Sequence, residues 1–199
     1  MFHTFFRGPT LPAHRLPDLP SRLAPPEQSR GTCAQLDAFN TAPAESARQI
    51  LLGCLRSPRW ADRVAAHRPY PDLASLLAAA DEAAYDLTAP DVTEALAGES
   101  LPELPDGTYE IAHTALGAAY AAYEARFGHV FVICVDDATP DEVLDRILGA
   151  IRSRLANDPE EERLLVGEEL RHLAKGRLVR RLGGAENRAT SHNASAPGG

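Results

Sequence analysis

The interpretation of the fold depends on one apolar stretch, Phe127-Gly128-His129-Val130-Phe131-Val132-Ile133-Cys134-Val135. The β-branched residues in its second half would form a buried strand on propensity alone. A single strand has no partner if the rest of the chain is helical. The stretch is therefore either a lone extended segment that crosses the core or a buried irregular or helical segment, and periodicity leaves these alternatives open.

The segments on both sides of this stretch predict helices. Upstream, Thr108 begins a long segment with apolar residues at helical spacing that ends at Gly128, and downstream Thr139-Pro140 is a strong helix start. Other helix starts are predicted at Pro43, Ser57-Pro58, Pro71, Thr88 with Asp91 as a capping box, and about Pro159. In the last helix, the predicted stripe follows Leu165, Glu169, His172, Leu173 and Arg177 or Leu178. The sequence predicts an all-α fold, a single compact bundle of roughly seven to nine helices.

The two ends of the chain differ in composition from the middle. Residues 1–33 contain six prolines with little apolar periodicity, which predicts a disordered arm. Residues 184–199 are small and polar and predict a disordered tail. Between them, residues 34–183 are predicted to form one domain. An apolar content of 44% over 199 residues is enough for a sizeable core.

Composition excludes several classes of protein. A net charge of -8 argues against nucleic-acid binding, which needs clustered Lys and Arg. No apolar run approaches the length of a membrane span, and Met1–Phe6 is followed at once by Arg7, Gly8 and Pro9, so no signal peptide is predicted. The expected location is cytoplasmic. Three cysteines without CxxC spacing predict neither a disulfide framework nor a zinc site, and Cys54 and Cys134 are interpreted as small buried hydrophobes.

A series of short motifs in a fixed order resembles one enzyme family. The motifs are Phe39-Asn40, Cys54 with Trp60, Arg68-Pro69-Tyr70, Leu87-Thr88 through Asp91 with Glu94-Ala95-Leu96, Tyr123-Glu124 with Phe127-Gly128, Arg154-Leu155-Ala156-Asn157 and Arg177-Leu178. Their order and spacing are similar to those of 2-oxo-4-hydroxy-4-carboxy-5-ureidoimidazoline (OHCU) decarboxylase. The resemblance extends from Phe39 to about Leu182, which is most of the predicted domain.

This resemblance implies an all-α lyase of urate catabolism that decarboxylates OHCU to (S)-allantoin. No metal and no organic cofactor is implied, because the heterocycle itself can accept the electrons that the departing CO2 leaves behind. The implied partner is a small-molecule substrate. Members of the resembled family are often dimeric, so the resemblance leaves a homodimer open.

The resemblance fails at the family's catalytic motif. Where the family has His-Pro-Arg-Ile-Gly, this chain has Ala97-Gly98-Glu99-Ser100-Leu101-Pro102, which puts Glu99 at the position of the catalytic His. Other site residues carry over by position: Glu110 matches the substrate-contacting Glu, and Arg154 matches the substrate-binding Arg. The residues Val130, Phe131 and Val132 occupy the segment whose backbone N–H groups meet the substrate.

The loss of the His leaves the proton donor unassigned. An ionised Glu99 would repel the substrate carboxylate, and Gly98-Glu99-Ser100 has the pattern of an exposed helix end, which does not support a buried, protonated acid. His113, one helical turn after Glu110, is the alternative donor. Simpler roles remain open, since Glu110 could only complement the helix dipole and Arg154 could be a surface residue.

The sequence therefore supports two functions. One is an OHCU decarboxylase-like lyase. The other is a catalytically inactive or repurposed homologue that binds a small anionic heterocycle, or a protein partner through the Pro-rich arm.

Overall fold

The computed structural model describes residues 34–102, 104 and 110–183, except for the side chains of Glu110 and Ile111. Within these ranges the chain forms helices and no strand, which confirms the all-α prediction. The helices are α1 (Ala34–Thr41), α2 (Ala44–Leu52), α3 (Pro58–Ala66), α4 (Leu73–Tyr85), α5 (Ala89–Leu96), α6 (Glu110–Phe127), α7 (Pro140–Arg154) and α8 (Pro159–Leu182). The predicted arm (1–33) and tail (184–199) lie outside the described residues, and the domain boundaries stay a prediction. None of the described helices has the length and apolarity that crossing a membrane would require.

Local sequence signals set the starts of most helices. The Ser57 side chain accepts a hydrogen bond from the Trp60 backbone N–H at the start of α3. Capping boxes begin α5 (Thr88 with Asp91), α7 (Thr139 with Glu142) and α8 (Asp158 with Glu161), each with a proline in the first turn. These positions confirm the helix starts predicted at Ser57-Pro58, Thr88, Thr139-Pro140 and Pro159.

The cap of α8 gives a first stability prediction. Asp158 Oδ1 accepts hydrogen bonds from the backbone N–H groups of Glu160 and Glu161, each at 2.9 Å. We expect Asp158→Ala to lower the free energy of unfolding by about 1 kcal/mol, measured by urea denaturation. Asp145→Ala, an exposed change inside α7, is the control and should stay within about 0.5 kcal/mol of the parent. Equal effects of the two substitutions would contradict a capping role for Asp158.

Helices α1 to α5 pack with α8 around the larger of two apolar cores. Trp60 lies fully buried in it, and the indole Nε1–H donates to the Ala80 carbonyl at 2.9 Å. Along α8 the buried residues are Glu162, Val166, Leu170, Ala174, Leu178 and Leu182. The stripe predicted through Leu165 is therefore wrong by one position, since Leu165 is 43% exposed. Three consecutive apolar residues at 164–166 made the register ambiguous, and only Val166 continues at a spacing of four into Leu170 and Ala174.

The apolar stretch after Gly128 is neither helix nor strand within the described residues. Its side chains alternate between the two cores. Val132 packs into the larger core, whereas Phe131 and Ile133 pack into the smaller core with α6 and α7. This is the period-two pattern of a strand, but both faces are covered by helices instead of neighbouring strands. Gly128, with a φ of +77°, allows the chain to turn sharply from α6 into the segment.

Side chains replace the missing sheet partners of this extended segment. Arg154 Nη1 donates to the Val132 carbonyl at 2.7 Å, and the Cys134 N–H donates to Glu169 Oε2 at 2.7 Å. Buried backbone groups need such partners because leaving them unpaired is costly. Of the alternatives that the sequence left open, the structure excludes a helix, and the alternation of side chains between the two cores is that of an extended segment.

Candidate functional site

Glu99, which the resemblance aligns with the family's catalytic His, is buried in an ion pair. Glu99 lies just beyond α5, and its carboxylate accepts two hydrogen bonds from Arg177 of α8, Nη1 to Oε1 at 2.8 Å and Nη2 to Oε2 at 2.6 Å. The Glu99 side chain is 4% exposed and that of Arg177 is 30% exposed. The expectation of an exposed Glu99 is therefore wrong. These hydrogen bonds from the guanidinium to Glu99 also raise the pKa of Arg177.

Further arginines surround this pair. Arg177 Nη1 also donates to the Cys54 carbonyl at 2.9 Å. Arg56 lies against the backbone of Gly98, where an added Cβ would be 2.4 Å from Arg56 Cδ. Arg181 lies in the same way against Gly53, where an added Cβ would be 2.6 Å from Arg181 Nη1. In a chain of net charge -8, these residues make a locally cationic site that suits an anionic ligand.

Arg154, predicted to bind substrate, lies in a buried polar network. Nε and Nη2 donate to Glu162 Oε1 at 2.8 and 2.5 Å, and Nη2 also donates to the Tyr123 hydroxyl at 3.1 Å. The Arg154 side chain is 7% exposed and that of Glu162 is 1% exposed. The guanidinium also lies over the Phe131 ring, 4.6 Å from its centroid. Arg154 therefore joins α6, α7, α8 and the extended segment, and its donors are engaged by protein groups.

The rest of this network explains the Arg154-Leu155-Ala156-Asn157 motif. Asn157 Nδ2 donates to Glu162 Oε2 at 3.0 Å, so both polar residues of the motif contact one carboxylate. The Tyr123 hydroxyl also contacts Glu162. Burial and Glu162 raise the pKa of Tyr123 far above its usual range. Asp158, the residue after this motif, caps α8.

The remaining predicted residues lie on α6 and the extended segment. Glu110 is the first residue of α6, and its side chain lies outside the described residues. His113 is exposed and lines a groove of about 420 Å³ with Leu101, Pro102, Leu104, Leu116, Gly117 and Tyr120. Neither Arg154 nor Arg177 lines this groove. The predicted contacts are backbone N–H groups; among their residues Val130 is half-buried, and Phe131 and Val132 are buried. The Val132 carbonyl accepts a hydrogen bond from Arg154.

Within the part of the chain that the structure describes, the thiols show no sign of activation, and the potential metal ligands form no cluster. Burial raises the pKa of both the Cys54 and the Cys134 thiol. Cys54 is buried in the larger core, as expected for a small hydrophobe, whereas Cys134 is half-buried. Across residues 34–102 and 110–183, no three His, Cys, Asp or Glu side chains converge as metal ligands would.

Sequence reasoning missed Arg177 as a site residue. Arg177-Leu178 belongs to the motifs of the resemblance, but nothing local distinguishes Arg177 from the other arginines near the end of α8. Its partner Glu99 is 78 residues away in the chain. A signal was nonetheless present, because a carboxylate that replaces a His in a buried site requires a nearby cation.

Comparisons with known proteins agree with this arrangement of helices. The family model described as OHCU decarboxylase matches residues 40–106 and 106–179. No curated protein matches the chain. A crystal structure of (S)-allantoin synthase is similar with a TM-score of 0.57 and 19% identity, over 74% of this chain and 54% of that chain. A crystal structure of OHCU decarboxylase in the presence of (S)-allantoin has a TM-score of 0.60 and 18% identity, over 71% and 99%. The chain thus spans about half the length of the (S)-allantoin synthase, and at these identities the structural likeness shows the fold alone.

Proposed function

Because the chain belongs to the OHCU decarboxylase family, we propose that it is an OHCU decarboxylase-like lyase of urate catabolism. It converts OHCU to (S)-allantoin without a cofactor. The observation that supports this proposal is the Glu99–Arg177 pair, a buried carboxyl group beside a solvent-accessible guanidinium, because the resemblance aligns Glu99 with the family's catalytic His.

Arg177 binds the substrate carboxylate in this proposal. A guanidinium forks onto a carboxylate through two parallel hydrogen bonds, and Arg177 already shows this geometry with Glu99. A substrate carboxylate that enters from the exposed side can take the place of the Glu99 carboxylate. The neighbouring Arg56 and Arg181 lower the cost of bringing a second anion into the site. Glu99 is thus an internal counter-ion that substrate displaces.

Displacement converts Glu99 into the proton donor. A buried carboxylate that has lost its cation is costly, so it takes up a proton from solvent. Loss of CO2 then leaves the electron pair of the broken C–C bond on the ring carbon, delocalised into the adjacent imine or carbonyl. Glu99 delivers its proton to one face of that carbon, which sets the stereochemistry. The resulting Glu99 carboxylate pairs again with Arg177, so one proton is consumed and one CO2 is released per turnover.

Two residues predicted from the sequence keep subsidiary roles in the proposal. Glu110, the first residue of α6, remains a candidate for binding the substrate. His113 is the alternative acid, although it lines a separate groove from Arg177. Arg154 supports the site indirectly, by holding the extended segment that carries Val130, Phe131 and Val132.

The second candidate is a catalytically inactive or repurposed homologue that binds a small anionic heterocycle. Two observations favour it. Glu99 accepts hydrogen bonds from both Nη1 and Nη2 of Arg177, and no His of the described residues is hydrogen-bonded to the pair. In this alternative the ligand displaces Glu99 but is not decarboxylated.

Decarboxylation of freshly generated OHCU, followed by circular dichroism at an allantoin band, separates the two functions. We expect enantioselective formation of (S)-allantoin well above the spontaneous rate. Arg177→Gln should reduce kcat/KM by about 100-fold or more, because truncating one partner of a buried charge pair costs about 2–5 kcal/mol. Arg152→Gln, an exposed change on α7, is the matched control and should retain activity.

Two outcomes would overturn the proposal. A folded protein that gives no acceleration over the spontaneous reaction would favour the repurposed homologue. Acceleration that survives Arg177→Gln would place the chemistry elsewhere in the molecule.

A further inference from the structure

We propose a second ligand site, which takes a small anion that carries an apolar ring. It is a groove of about 410 Å³ between α5, the end of α6 and the start of α8. This volume is within the range of small-molecule sites, which are mostly apolar with a few convergent polar groups. The lining residues on which the argument rests are Val92, Leu96, Arg126, Phe127, His129 and Arg163.

The apolar part of the groove suits a flat ring. Val92 and Leu96 on α5 are 6% and 7% exposed and form its floor. Phe127 and His129 lie beside each other with ring centroids 6.2 Å apart and planes at 29°. Both rings are half-buried and contribute to the wall of the groove. An aromatic or heteroaromatic ligand can pack against such flat surfaces.

The polar part of the groove is cationic. Its titratable lining residues are Arg126, His129 and Arg163, and no carboxylate is among the lining residues. Arg126 donates through Nη2 to the Asn157 carbonyl at 2.8 Å, and its guanidinium lies over the Phe127 ring, 5.2 Å from the centroid. Arg163 pairs with Glu160, whose side chain is 69% exposed. Such exposed pairs are weak, so a ligand anion can compete for Arg163.

This groove is separate from the Glu99–Arg177 pair. Arg163 and Arg177 are 14 residues apart on α8 (177 minus 163). At about 1.5 Å per residue this corresponds to about 21 Å along the helix. No residue of the pair lines the groove, so ligands at the two positions can be distinguished by substitution.

Isothermal titration calorimetry with 1-naphthoate tests the second site, with neutral 1-naphthamide as a probe of the same shape. We expect one equivalent of naphthoate to bind, with a Kd at least about 10-fold lower than that of the amide. This ratio corresponds to a difference of about 1.4 kcal/mol in binding free energy. Arg126→Gln should weaken naphthoate binding by a similar factor and bring it close to that of the amide. Arg152→Gln is the matched control, and Arg177→Gln should leave the affinity unchanged.

Three results would overturn this proposal. They are equal affinities for naphthoate and naphthamide, equal effects of Arg126→Gln and Arg152→Gln, and loss of naphthoate binding in Arg177→Gln. The last would assign the probe to the Glu99–Arg177 site. The decarboxylation assay does not depend on any of these results, so failure of one proposal leaves the other standing.

Discussion

Glu99→Gln is expected to abolish turnover while it tightens anion binding at Arg177. Gln has nearly the shape of Glu but carries no transferable acidic proton, so kcat should fall by about 10²–10⁴-fold, the usual contribution of general acid catalysis. A neutral amide also competes less well for the guanidinium than the carboxylate at 2.6 Å does. The Kd of imidazole-4-carboxylate, a stable heterocyclic carboxylate, should therefore decrease. The circular dichroism assay gives kcat, and calorimetry gives the Kd.

Opposite changes in kcat and Kd distinguish an acid from a structural residue. Glu94→Gln, an exposed change on α5, is the control and should alter neither quantity. Glu99→His, which restores the residue type of the resembled family, should keep a proton donor at this position. Unchanged turnover in Glu99→Gln would eliminate Glu99 as the acid. Weaker carboxylate binding would instead mean that Glu99 is needed to hold Arg177 in place.

Local chemistry made most of the helices predictable from sequence. The starts of α3, α5, α7 and α8 each combine a capping residue with a proline, and both features act within one helical turn. Such local signals did not determine the conformation of the segment from Val130 to Val135. Its side chains do alternate between the two cores, as the β-branched pattern favours. The sequence could not show that helices would cover both faces, because this depends on two cores built from distant parts of the chain.

The same limit explains what was missed at the candidate site. Arg154 and Arg177 both lie on amphipathic helices and both belong to motifs of the resemblance. The two arginines differ in their tertiary environment. The Arg154 side chain is 7% exposed and contacts Glu162, whereas that of Arg177 is 30% exposed. Glu99 was expected to be solvated because Gly and Ser flank it. Its partner comes from α8, and sequence spacing carries no information about that contact.

The largest stability effect is expected for Arg154→Ala. This change leaves the Glu162 carboxylate buried without its cation, and it leaves the Val132 carbonyl without its donor. Removing one member of a buried pair costs about 3–5 kcal/mol. Such a loss is a large part of the total stability of a domain, which is about 5–15 kcal/mol. Urea denaturation should therefore show a strongly reduced midpoint, with the chain partly unfolded even without denaturant if its stability is at the low end.

A double-mutant cycle identifies the source of this loss. Glu162→Ala alone should also destabilise strongly, but Arg154→Ala combined with Glu162→Ala should cost clearly less than the sum, because the second substitution removes the unpaired charge that the first created. Arg152→Ala, two residues away and exposed, should change the free energy of unfolding by less than about 0.5 kcal/mol. If Arg154→Ala were as stable as the parent but could not bind imidazole-4-carboxylate, Arg154 would be the ligand-binding residue after all. The roles that we give to Arg154 and Arg177 would then have to be exchanged.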